Sequence, residues 1–177
     1  MKRLALILAL LAGPLFAADQ ERLDELFAAL ETADETSWEQ IEQKIWREWS
    51  DSGSPAMDLL LERGREATAQ EDYRAAIAHL TALVENAPDF AEGWNARATA
   101  YFGAGLIGPA LHDIARTLEL EPRHFGALSG LGRILEETGH ERDALGAYSE
   151  ALSIHPHRPS LIRAVERLER ELQGKSI

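Results

Sequence analysis

The chain has 177 residues, 45% of them hydrophobic, with 18 basic and 30 acidic side chains and a formal net charge of −12. A field of that sign makes nucleic acid and anionic membrane surfaces poor partners. Cysteine is absent, which excludes disulfides and a lipidated cysteine, so stability must come from packing alone.

The first 17 residues stand apart. Lys2 and Arg3 precede an apolar run from Leu4 to Leu11, Gly13-Pro14 breaks it, and Ala17 or Ala18 offers a small residue at a cleavage point. This pattern predicts a secretory signal peptide over 1–17. The run falls short of the roughly 20 residues that span a bilayer, and an uncleaved anchor is the alternative. The expected destination is across the inner membrane, in the periplasm if the source is a Gram-negative bacterium, with no stable membrane span in the mature form.

Residues 18–56 carry eleven acidic side chains against three basic ones. Leu23, Leu26, Phe27 and Leu30 make one helical face. A second helix is expected to open at Ser37 with Gln40 as a capping box, its stripe being Trp38, Ile41, Ile45 and Trp49 with Trp46 at the edge. The pair reads as a cap, a degenerate repeat at the N-terminal end of the fold. Alternatively, Trp38, Trp46 and Trp49 form an aromatic docking surface, since tryptophan is frequent among binding hot spots. Ser54-Pro55 then restarts a helix, serine as N-cap and proline in the first turn.

From here a period governs the chain: Pro88, Pro122 and Pro156 are 34 residues apart, and such a period marks stacked helix pairs. Other columns share it. Leu60, Trp94 and Leu128 are large; Gly64, Ala98 and Gly132 are small; Ala76, Ala110 and Ala144 are alanine throughout; Leu80, Ile114 and Tyr148 are again large. Alternating large and small residues at helical spacing predicts close helix crossings at the small ones. A turn is expected at Glu71, Gly105 and Gly139, and each proline should stop a second helix.

With these columns in place, the stretch from about residue 57 to 158 resembles the tetratricopeptide repeat family, of a short exported bacterial type. The third repeat carries the likeness best, in Leu131-Gly132, Gly139, Ala144, Tyr148 and Ala151 to Pro156. The first is weakest, with Arg63 where the family favours leucine. The resemblance implies an all-α, right-handed solenoid of antiparallel helix pairs. Its repeats would run 57–90, 91–124 and 125–158, between an N-terminal helix pair at 18–56 and a capping helix at 159–177.

In this family the concave groove is lined by the first helix of each repeat. There one column reads Arg65, Thr99, Arg133 and Arg167, and the next reads Leu61, Asn95, Ser129 and Arg163. The expectation is a groove in which Arg65, Asn95, Thr99, Arg133, Arg163 and Arg167 grip an extended segment or an acidic terminus. The bland account is local pairing, as in Glu62 with Arg65 or Arg133 with Glu137. The two-carboxylate clamp of chaperone-binding relatives lacks a full set of counterparts.

Two motifs point elsewhere and fail on context. Gly103 to Gly108 spells GxGxxG, but between two helices rather than after a strand. His155 and His157 flank a turn proline without the convergent ligands a metal needs, and read as surface turn residues. No cofactor, metal or catalytic residue is expected. The function expected is a non-catalytic adaptor or scaffold in the cell envelope that binds a protein or peptide. A non-catalytic subunit of an envelope enzyme or secretion complex, or a periplasmic assembly chaperone, is the alternative. Oligomeric state is left open.

Overall fold

A computed structural model describes residues 14–174. The expected leader, 1–17, lies outside the described residues except for the start of the first helix. The described residues form α1 (Pro14–Glu31), α2 (Trp38–Trp49), α3 (Pro55–Ala69), α4 (Tyr73–Asn86), α5 (Ala91–Gly103), α6 (Ile107–Leu120), α7 (Phe125–Glu137), α8 (Glu141–Ile154) and α9 (Pro159–Gly174). None of these helices is long and apolar enough to cross a membrane.

Three pairs, α3/α4, α5/α6 and α7/α8, stack in order, and α9 packs on α8. The periodic prolines act as the sequence predicts. Pro88, Pro122 and Pro156 each stand two residues past a helix end, and the residues before them, Ala87, Glu121 and His155, take extended φ values of −133°, −134° and −126°. The ring clash that restricts a pre-proline residue forces that conformation. At the turn column Glu71, Gly105 and Gly139 all have positive φ, +61°, +75° and +79°.

Large-against-small packing sets the crossings. A Cβ on Gly64 would run into the Leu80 side chain, and one on Gly132 would lie 2.7 Å from the Tyr148 ring. Ala76, Ala110 and Ala144 are fully buried, and Ala98 nearly so. The large column departs from expectation. Only Leu128 is buried; Leu60 is half-buried, and its neighbour Leu61 takes the core position.

Trp94 is also half-buried and lies outside the three clusters of core residues. Its indole donates to the Pro88 carbonyl at 2.9 Å. Its face covers Arg97, whose guanidinium lies 4.9 Å away and holds buried Asp113 through two bonds of 2.6 and 3.0 Å. Trp94 therefore roofs an ion pair rather than filling a core.

The N-terminal pair is placed differently from a stacked cap. Between α2 and α3 there is no close backbone packing of the kind that joins successive repeats. Instead Leu23, Phe27, Leu30, Ile45 and Trp49 form one core cluster with Phe125, Leu128, Leu161 and Leu168 of α7 and α9. The pair thus folds back onto the first helices of the last repeats. Ser37 does not close the expected capping box. Asp34 does the work, accepting from the backbone N–H groups and hydroxyls of Thr36 and Ser37, which draws its carboxyl down to about 2. Ser54 stands at the N-cap of α3 without a side-chain bond, Pro55 coming next.

Candidate functional site

The concave side has two unlike halves. Over α7 and the α8–α9 corner it is filled by α2. Trp46 meets Phe125 edge-on at 5.6 Å, Trp49 stacks on His124 at 4.1 Å, and Trp38 meets His155 at 5.4 Å. Trp46 fits because residue 126 is glycine: a Cβ there would lie 2.6 Å from the indole. Trp38, Trp46 and Trp49 consequently hold the helix pair in the groove rather than forming a separate aromatic surface, and only Trp46 also borders the open half.

Polar groups lock this seat. His124 is fully buried; its Nδ1 accepts from the Ala127 N–H, capping α7, which leaves the proton on Nε2. That N–H donates to Glu92 at 2.9 Å. Glu92, also buried, accepts from Asn95 at 3.0 Å and Arg65 at 2.6 Å. Burial alone would raise the Glu92 carboxyl, but His124 and Arg65 outweigh it and hold it below the usual range. At the other end Glu42 of α2 faces His155 at 3.2 Å and accepts from Trp46 at 3.1 Å. Burial opposes ionisation there too, and His155, Trp46 and Arg158 overcome it, lowering Glu42. His155 is therefore a wholly buried partner of α2, not a surface turn residue, because the corner it occupies lies beneath the folded-back helix.

Over α3 and α5 the concave side is open. A hollow of about 530 Å³ lies there, lined by Trp46, Ser50, Arg65, Thr68, Ala69, Glu92, Asn95, Ala96 and Thr99. Three of the expected groove residues, Arg65, Asn95 and Thr99, come together in it. The remaining three do not join them. Arg133 pairs with Glu137 at 3.1 Å and lies over the Phe102 ring. Arg167 pairs with Glu136 at 2.8 Å. Arg163 is exposed on α9.

The arginines are thus not a free cationic stripe. Arg65 in particular spends one nitrogen on Glu92 and another on Ser50 at 3.0 Å. Glu92, Trp46, Ser50 and Thr68 were missed as lining residues. Glu92 and Thr68 sit on the same first helices, whereas Trp46 and Ser50 reach the hollow only because α2 folds back, which no period reveals. The Gly103–Gly108 motif spans the α5–α6 turn, and among the described residues no cluster of His, Asp or Glu could hold a metal ion.

Comparison with known proteins agrees with this architecture. The tetratricopeptide repeat model matches residues 61–108 and 96–159. A TPR repeat-containing protein of Rhizobium etli is 36% identical over 159 residues, 89% of this chain and 78% of its own length. The TPR domain of Sgt2 from Aspergillus fumigatus superposes with a TM-score of 0.65 at 24% identity, covering 70% of this chain and 83% of that one. The first TPR of Spaghetti (RPAP3), bound to the HSP90 peptide SRMEEVD, gives 0.64 at 22% identity over 68% and 95%. With the repeat columns, the all-α helix-pair stack and a relative of this identity and extent in agreement, the chain belongs to the tetratricopeptide repeat family.

Proposed function

We propose that this protein is a non-catalytic interaction adaptor that takes an extended segment of a partner protein in the open half of its concave groove. The observation that carries the reading is the hollow over α3 and α5. There Thr99, Asn95 and Ser50 offer hydrogen-bonding groups beside the apolar surface of Trp46 and Ala96. Extended segments bind by such a mixture, polar groups fixing the chain and small pockets taking alternate side chains. The neighbouring Spaghetti domain holds a peptide, which supports the reading by analogy of fold. The leader-like start of the sequence supports an exported protein acting in the envelope.

The test is a photo-crosslinking residue at Thr99, which is exposed within the hollow, compared with one at Ser149 on α8. Illumination in the native cell should trap a discrete protein adduct from Thr99 alone. Identical adduct patterns from both positions would remove the groove as the binding surface.

A further inference from the structure

Resting on that reading of the hollow, we infer that its occupant is a basic segment, carrying lysine or arginine between apolar residues, rather than an acidic terminus. The hollow continues into a second of about 530 Å³, the two sharing Ser50, Arg65 and Ala69. Asp58, Glu62 and Glu66, spaced four residues apart on α3, line this second part with Leu61. Residues at that spacing share one helix face, so three carboxylates stand in a row along the groove.

Little compensates them. Asp58 accepts only from the Ser52 hydroxyl and N–H, Glu66 accepts from Gln70 at 3.3 Å, and Glu62 has no bond or ion pair among the described residues. The single cation lining either hollow is Arg65, and it is bonded to Glu92. An incoming carboxylate would meet three acids and an occupied arginine. An incoming ammonium or guanidinium would meet three carboxylates that have no cationic partner among the described residues.

Between these charges the lining is apolar: Leu61 is 2% exposed, and Ala69, Ala96 and Trp46 flank it. Successive side chains of an extended segment point to opposite sides, so a chain alternating basic and apolar residues can turn one set to the α3 carboxylates and the other to Ala96 of α5 and Trp46 of α2. The peptide of the Spaghetti complex, SRMEEVD, has the opposite charge pattern. A shared fold with that domain therefore does not carry a shared ligand.

The experiment uses the full chain and three labelled peptides of equal length, alternating leucine with lysine, glutamate or serine. Binding is read by anisotropy and by amide shifts of Ala69, Ala96 and Thr99. The Lys peptide should bind most tightly, move those three amides and weaken as salt rises. E62Q/E66Q should weaken it about fivefold, an effect of the size expected from two rim charges, while E150Q/E169Q, removing the same charge on α8 and α9, leaves it unchanged. Equal weakening by both variants would reduce the effect to overall charge and overturn the inference. Preferential binding of the Glu peptide at the same amides would overturn the basic class and leave the groove reading intact. Silence of those amides to every peptide would overturn both.

Discussion

Among the columns in which the two halves of the concave groove differ, one bears directly on which half is filled. Asp58, Glu92 and Gly126 occupy the same column, 34 residues apart. Where it is glycine, the indole of Trp46 lies against the helix backbone and α2 settles in. Where it is a carboxylate, a bonded polar side chain takes that place, Asp58 with Ser52 and Glu92 with His124 and Arg65, and the groove stays open. The repeat scaffold is indifferent to this column, because the small and large residues that fix the helix crossings lie elsewhere. One architecture thus carries an internal ligand at one end and a vacant surface at the other.

The largest expected effect comes from the filled half. Phe125 is fully buried and touches Trp46, Trp49 and His155. Phe125→Ala should cost about 3–5 kcal/mol in chemical denaturation, whereas Thr99→Ala in the open half should stay within about 0.5 kcal/mol. Similar costs would mean the halves are not energetically distinct. Gly126→Ala is the sharper probe. The added methyl should displace Trp46 and cost about 1–3 kcal/mol despite alanine's better helix propensity. Red-shifted tryptophan emission and faster proteolysis between α2 and α3 would accompany it; unchanged emission would contradict the seat assigned to Trp46.

Acid should open the same seam. Glu42 and Glu92 have carboxyls held below their ordinary value of 4.5. A depressed carboxyl adds stability that is complete above the unfolded value and disappears as pH falls through the folded one. The melting temperature should therefore drop below about pH 4.5, and Glu42→Gln should flatten the drop. An unaltered acid slope in Glu42→Gln would show that the α2 contact does not contribute.

Much of this fold was legible because it repeats. Pro88, Pro122 and Pro156, the glycine and alanine crossings and the turn column are local rules applied three times, so each copy checks the others. The seat of α2 was not legible, since Trp46 against Gly126 and Glu42 against His155 join residues far apart in sequence with no period between them. The groove residues fared between these extremes. Two columns named Arg65, Asn95 and Thr99, which line one hollow, but they also named Arg133, Arg163 and Arg167, which do not, and charge counting alone could not show that Glu92, on the first helix of the next repeat, pairs with Arg65. Trp94 misled because a large apolar residue in a core-like column can equally roof an ion pair when its neighbour is Arg97.

The smallest effect separates the first repeat from the other two at the turn. Glu71 has φ of +61°, a left-handed conformation in which its counterparts Gly105 and Gly139 sit at +75° and +79°. A side chain in that region brings Cβ against the next carbonyl, at a cost of about 1–2 kcal/mol relative to glycine. Glycine loses more backbone freedom on folding, which returns part of that difference. Glu71 is exposed and makes no side-chain bond in the turn; only its N–H is used, donating to the Thr68 carbonyl at 3.0 Å. Glu71→Gly should therefore stabilise the chain by about 0.5–1 kcal/mol, seen as a raised denaturation midpoint with an unchanged slope. A lowered midpoint would mean that the glutamate makes a compensating contribution the turn geometry does not contain. Gly105→Glu, the same exchange in reverse within the second repeat, should lower the midpoint by a similar amount, because the backbone there requires the same positive φ.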